Sequence, residues 1–165
     1  MPLNLLKVYN QLLELSHLAE AARQKSLYGI FKRDIEENTS FKFRTKKINP
    51  TKGEIPAMQI LFQHLTTAVI DERTKKREYE PQRSERLHWV RFHIDEKKPD
   101  VTIFSVEDNS EIRTYIYDAD EQYVIILEPY RNKAEYYLIT AYKVQGRNTR
   151  KIENKYKRRT WERVF

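Results

Sequence analysis

The spacing of apolar residues changes at Pro99, and this change restricts the fold more than any other feature of the chain. Before it, apolar residues recur every three or four positions, the period of a helix with one buried face. After it, "DVTIFSVE", "IRTYIYD", "QYVIILE" and "AEYYLITAYKV" alternate with the period of two that marks strands. "DADE" and "PYRNKA" join the last three segments at hairpin lengths. Helices first and a meander afterwards predict an α+β fold, with N-terminal helices packed on a C-terminal antiparallel sheet of about four strands. A helical N-terminal region is expected over residues 1–75 and a second unit, with a basic end, over 76–165.

The helical half divides at its breakers. Leu5, Val8, Leu12, Leu15, Ala19 and Ala22 predict an amphipathic helix running to about residue 35, weakened at Gly29. Pro50, Gly53 and Pro56 then punctuate a loop, with a short extended piece over residues 41–44. Pro56 suits the first turn of a second helix, whose buried stripe is Met58, Leu61, Phe62, Leu65, Ala68 and Val69. "DERTKKREYEPQRSER" reads as a charged connector. In "SERLHWVRFHIDE", Leu87, Val90 and Ile94 align on one helical face and Ser84 is placed to cap it, with a strand as the alternative.

Several chemistries are excluded. The chain has no cysteine, so disulfides, thiolate nucleophiles and cysteine-ligated zinc are out. Three unclustered glycines provide no phosphate-cradling loop, and no serine sits in a nucleophile-elbow context. His17, His64, His88 and His93 form no metal-ligand spacing, and neither a metal nor a cofactor is expected. No apolar run approaches the ~20 residues of a membrane span. The N-terminal segment lacks the basic and small-residue marks of a secretory leader, so a cytoplasmic protein is expected.

The charge is concentrated. Residues 143–163 hold nine basic residues against Glu153 and Glu162, which accounts for the whole net charge of +7. A localised basic end is the footprint of a polyanion partner, or of a solvated surface. Tyr156 and Trp161 lie among these cations, where they can stack on bases. In the meander, Arg113, Tyr115 and Tyr117 share one face of their strand, opposite Ile112, Thr114 and Ile116. If the last strand brings Thr140 and Tyr142 beside them, the open face of the sheet gathers guanidinium, phenol and hydroxyl groups suited to a phosphate. The third helix adds Arg86, His88 and Arg91, a histidine among arginines as phosphodiester acid–base chemistry requires. His64, between Leu61 and Leu65, reads instead as a satisfied, half-buried histidine.

"ERLHW" and "YYLITAY", within about residues 83–145, resemble the barnase/EndoU/colicin/RelE-like superfamily of metal-independent ribonucleases, and its phage- and mobile-element-borne branch most. The resemblance implies a helical layer on a four-stranded antiparallel sheet, with RNA as substrate and an acidic antitoxin or immunity protein as partner. Matched by motif, Thr140 and Tyr142 fall on the family's terminal strand and Arg86 and His88 on its helix; face geometry adds Arg113. These five form the expected catalytic set. Arg91, Tyr115, Tyr117, Lys143, Lys155, Lys157, Arg158 and Arg159 form the expected RNA-binding set. The implied activity is an endoribonuclease, a toxin or phage-defence effector that directs the substrate 2′-OH onto the adjacent phosphorus. The alternatives are a non-catalytic nucleic-acid-binding module and a protein-interaction domain.

Overall fold

The structure is a computed structural model and describes residues 3–50 and 56–160. The four period-two segments form β5 (Thr102–Asp108), β6 (Glu111–Asp118), β7 (Tyr123–Pro129) and β8 (Tyr136–Lys143), an antiparallel meander. The α+β class is as expected, but the sheet is larger than expected and mixed. Two short strands, β1 (Lys42–Phe43) and β2 (Lys46–Asn49), extend it to the order β1-β2-β8-β7-β6-β5, and β2 runs parallel to β8 with Ile48 opposite Tyr136. Strands of two and four residues are too short for alternation to declare them.

The N-terminal helix is shorter than its spacing suggests. Only α1 (Glu20–Phe31) is α-helical there, followed by a wider turn over Lys32–Glu36; Leu3–Leu6 form a single 3₁₀ turn. Between them the chain is irregular, and Leu13 and Leu15 enter the core, at 3% and 1% exposure, while Leu12 stays 40% exposed. Tertiary hydrogen bonds replace the helical ones. The Leu13 amide donates to the Glu85 carbonyl at 3.0 Å, the Trp89 indole to the Gln11 carbonyl at 3.0 Å, and the Asn4 side chain bonds both main-chain groups of Glu14.

The second helix, α2, covers Ala57–Thr66, and the chain beyond it is a hairpin rather than a connector: β3 (Thr67–Asp71) pairs with β4 (Lys76–Tyr79). Ala68 and Val69, expected on the helix, belong to β3 because two threonines close the helix end. Thr66 Oγ1 donates to the Phe62 carbonyl and Thr67 Oγ1 to the Gln63 carbonyl, which satisfies groups a longer helix would have used. A short α3 (Pro81–Ser84) follows, then α4 (Trp89–Ile94). Ser84 is not a cap. It is buried and donates to the Thr66 carbonyl at 2.7 Å, while the Glu80 side chain caps α3. Leu87, Val90 and Ile94 are buried as their spacing predicts.

The helices cover one face of the sheet. Leu27, Ile30, Phe31, Leu61, Leu65, Leu87 and Trp89 meet Ile116, Tyr123, Ile125, Leu127 and Leu138 in one core, to which both halves of the chain contribute. β8 changes face within this core. Leu127 pairs with Leu138 but Ile126 with Thr140, so Ile139 is an extra residue in a bulge. Tyr136 and Leu138 before the bulge and Ala141 after it all face the helices, while Ile139, Tyr142 and Val144 face the other side. The bulge explains why neither alternate set of "EYYLITAYKV" is cleanly apolar.

That other side is covered too. Gly146, at φ +55°, turns the chain back after β8, and the basic end becomes α5 (Asn148–Lys157). Ile152 is buried against Phe104, Val106, Tyr115 and Tyr117, and Tyr156 meets Phe104 edge-on at 5.4 Å. The Thr160 amide then ties the segment to the Ser105 carbonyl at 2.8 Å. Trp161, Glu162 and Arg163 of the basic segment, and Gly53 of the earlier loop, lie outside the described residues.

Candidate functional site

Register places most of the expected sheet residues on one face. Tyr115 aligns through Ile126 with Thr140, and Tyr117 through Val124 with Tyr142. This face is not the open platform that alternation suggests. Tyr115 and Tyr117 lie beneath α5 at 4% and 6% exposure and contribute to packing there, so neither ring presents a face to a base. Thr140 and Tyr142, on the same face, remain half-exposed, Tyr142 at the margin of the cluster that α5 covers.

At Thr140 and Tyr142 the chain brings in a residue that the connector reading passed over. Arg83, carried by α3, places its guanidinium 5.3 Å from the centre of the Tyr142 ring. Its Nη1 donates to the His64 carbonyl at 2.6 Å and to Thr140 Oγ1 at 3.3 Å. The Thr140 hydroxyl in turn donates to the His64 carbonyl at 3.2 Å. These bonds close the C-terminal end of α2, where a cation is favoured by the helix dipole. Only Nη1 is engaged; Nε is buried with no partner, and no carboxylate lies within ion-pair distance among the described residues. Arg77, on β4, binds the hydroxyl and carbonyl of Thr67 at 2.8 and 2.9 Å and likewise has no carboxylate partner among the described residues. Burial weakens the hold of both guanidiniums on their protons, and Arg77 adds to the effect on Arg83. An anion placed against them would relieve that penalty.

His64 completes the corner. Its Nδ1 lies 3.2 Å from the Ile139 carbonyl, an acceptor, which fixes hydrogen on Nδ1 and leaves Nε2 as the basic nitrogen. Burial first, then Arg77 and Arg83, lowers its pKa, so it is neutral at physiological pH. It is half-buried as the sequence suggests, but it stands beside two arginines and not in apolar surroundings alone. The Tyr142 phenol is raised, chiefly by burial and also by Tyr115, with Arg83 and Lys155 opposing. It therefore keeps its proton.

The rest of the expected set is dispersed. Arg86 lies over the Trp89 ring at 5.2 Å and donates to the Gln82 carbonyl and side chain. His88 is 6% exposed, and neither ring nitrogen has a hydrogen-bond partner of good geometry. Burial pushes its pKa down to about 4, although the main chain at Val8 and Gln11 and the Asp34 carboxylate favour the charged ring. Both residues belong to the helical layer, on the opposite face of the sheet from Thr140 and Tyr142. Arg91 is on that side as well, 3.8 Å from Asp34 and 3.5 Å from Asp95. Arg113 keeps to the predicted face but is held by Glu111 at 2.7 Å and Glu128 at 3.2 Å. Lys143 donates to the Glu121 carbonyl, and Lys155 pairs with Asp108 while lying 5.6 Å from the Tyr115 ring centre. Lys157 is exposed at the end of α5, Arg158 just beyond it is exposed and 3.9 Å from Asp108, and Arg159 covers Tyr156.

The sequence contained one signal for Arg83: it stands one helical turn before Arg86 in "PQRSERLHW". No signal linked it to α2, because that contact depends on where the β3–β4 hairpin returns the chain. Among the described residues no three His, Asp or Glu side chains converge as a metal ion would require, and no helix is long and apolar enough to cross a membrane. Comparison with protein-family models, curated proteins and solved structures finds no match.

Proposed function

We propose that this chain is a metal-independent endoribonuclease that holds RNA across the sheet face between α5 and the corner formed by α2 and α3. The observation that carries this reading is Arg83: a largely buried guanidinium without a carboxylate partner, set against a hydroxyl and a phenol and beside a neutral imidazole. Arg83 and Arg77 take the scissile phosphate and stabilise the charge that develops on it. His64 Nε2 accepts the proton of the 2′-OH as its oxygen attacks phosphorus. The bond from phosphorus to the 5′ oxygen breaks, and the Tyr142 phenol supplies that oxygen with its proton. The products are a 2′,3′-cyclic phosphate and a free 5′-OH. Thr140 orients Arg83. This assigns the base to His64 in place of His88, whose ring is enclosed on the far side of the sheet.

Incubation of the purified protein with total RNA in EDTA, followed by end-group analysis, tests the proposal. Cyclic phosphate ends that disappear in Arg83→Ala support it; activity that is abolished by chelation and restored by magnesium overturns it. The second reading is RNA binding without cleavage, favoured by the exposed cations Arg150, Lys151, Lys157 and Arg158 of the basic segment, which stand apart from any acid–base group of the corner. Salt-sensitive binding with intact RNA ends would mark it. An acidic antitoxin or immunity protein would fit the same basic surface.

A further inference from the structure

Across the same face, at the far end of β8 from Arg83, a cleft of about 810 Å³ opens between the β5–β6 and β7–β8 turns. One wall is a pair of stacked tyrosines. The Tyr130 and Tyr137 ring centres are 4.4 Å apart with planes inclined by 28°, and both residues are half-exposed. Their support is firm, because the Tyr130 amide donates to the Glu135 carbonyl at 2.9 Å and its carbonyl accepts from the Lys133 amide at 2.8 Å. Burial and Tyr137 push the Tyr130 phenol up to about 12, so that ring stays neutral beside a polyanion.

The rest of the lining is of mixed charge, Glu111 and Glu128 with Arg131 and Lys133, and adds the amides of Asn109 and Asn132, a set that can pair with the polar edge of a base. Arg113 of β6, outside this lining, is bonded to both Glu111 and Glu128. Carboxylates and amide oxygens accept hydrogen bonds from the ring and exocyclic N–H groups of a base. Arg131, at the rim, is exposed and placed to meet the backbone outside. A smaller hollow lined by Arg113, Tyr115, Ile126 and Ile139 shares Asn109 and Glu111 with the cleft, and Ile139 is the neighbour of Thr140 on β8, so cleft, hollow and corner follow one another along the same face of the sheet.

We propose that the Tyr130–Tyr137 cleft is a nucleobase-stacking subsite for single-stranded RNA. The inference rests on the reading of this face as an RNA site and extends it. Tyr137 and Tyr142 are five residues apart on β8, about 15 Å at the rise of a strand. The stacked base therefore belongs to a nucleotide beyond the two that flank the phosphate at Arg83. A larger ring system with amino groups suits this cleft better than uracil, so adenine-containing RNA is the probe of choice.

The test measures binding of a short fluorescent oligoadenylate, and of the same strand with abasic positions, to the full chain and to Tyr130→Leu and Tyr130→Trp. Stacking on an aromatic ring typically contributes enough that Tyr130→Leu should weaken the oligoadenylate roughly ten-fold or more. Abasic binding and the salt dependence should be unchanged, and Tyr130→Trp should restore affinity. Circular dichroism of each variant separates these effects from unfolding; if Tyr130→Leu does not fold, loss of oligoadenylate affinity by the folded Tyr130→Trp protein, or its failure to prefer the base-bearing strand, overturns the subsite. Equal losses for both strands, or no loss for either, also overturn the subsite while leaving the RNA reading intact. Failure of the wild-type chain to bind either strand overturns the reading of the whole face, and the subsite with it.

Discussion

Acidification should expose the burial of His88 before most other features of the fold. The perturbation is His88→Leu, which replaces a ring whose nitrogens lack hydrogen bonds with an apolar side chain. In the folded protein the His88 pKa is about 4, against an ordinary value of 6.5. Between these values the unfolded chain binds the proton and the folded chain does not, so wild-type stability falls as pH drops through 6.5 and levels off below 4. The full shift corresponds to about 3 kcal/mol, and about 2.5 kcal/mol of it should be lost between roughly pH 7 and pH 4.5. Arg33, Asp34 and Arg91 line the hollow around the ring and are the same in both proteins. Urea denaturation of wild type and His88→Leu at both pH values isolates the histidine as a difference of differences. The wild type should lose about 2.5 kcal/mol more than the variant on the same order-of-magnitude reckoning. Parallel losses in the two proteins would refute the placement of His88 in an enclosed, uncharged site.

Three further outcomes are expected. His64→Ala and Tyr142→Phe should each lower cleavage by roughly 10²–10⁴-fold with the fold retained by circular dichroism, the range for loss of general acid–base groups; wild-type rates from both would move the site elsewhere. Replacing Arg150, Lys151, Lys157 and Arg158 with glutamine, while leaving the Lys155–Asp108 pair intact, should flatten the salt dependence of RNA affinity by about one unit of slope for each phosphate no longer neutralised. An unchanged slope would mean that this surface only solvates the chain or binds another partner. Ile152→Ala should cost about 2–4 kcal/mol through the cavity left under α5 and should increase proteolysis near Gly146; a loss below ~0.5 kcal/mol would mean that α5 is not held by this residue.

The meander was legible because alternation is imposed by backbone geometry alone. β5 to β8 and their hairpins therefore follow directly from "DVTIFSVE", "IRTYIYD", "QYVIILE" and "AEYYLITAYKV". Leu87, Val90 and Ile94 were legible for the same reason at helical period. The spacing of Leu5, Val8, Leu12 and Leu15 is equally regular, yet residues between the first turn and α1 are not helical, because Leu13, Gln11 and Glu14 find hydrogen-bond partners elsewhere in the chain. Local period states a preference of a few tenths of a kcal/mol per residue, which tertiary packing readily overrides.

The site was legible only in its residue types. Thr140 and Tyr142 could be placed on the far face of the sheet from sequence, but their exposure could not, since it depends on how far α5 reaches after turning at Gly146. Nor could the choice between His88 and His64. Both stand on helical segments, only His88 with arginines near it in the sequence, and the environment that separates them is built by distant parts of the chain: residues 8–11 enclose one ring, while β8, Arg77 and Arg83 gather around the other. The sequence by itself determined the periods, the charge surplus and the absence of cysteine, because these are properties of covalent order. The tertiary structure decided which face each polar group serves and which groups remain solvated, because burial and proximity arise only when segments far apart in the chain pack together.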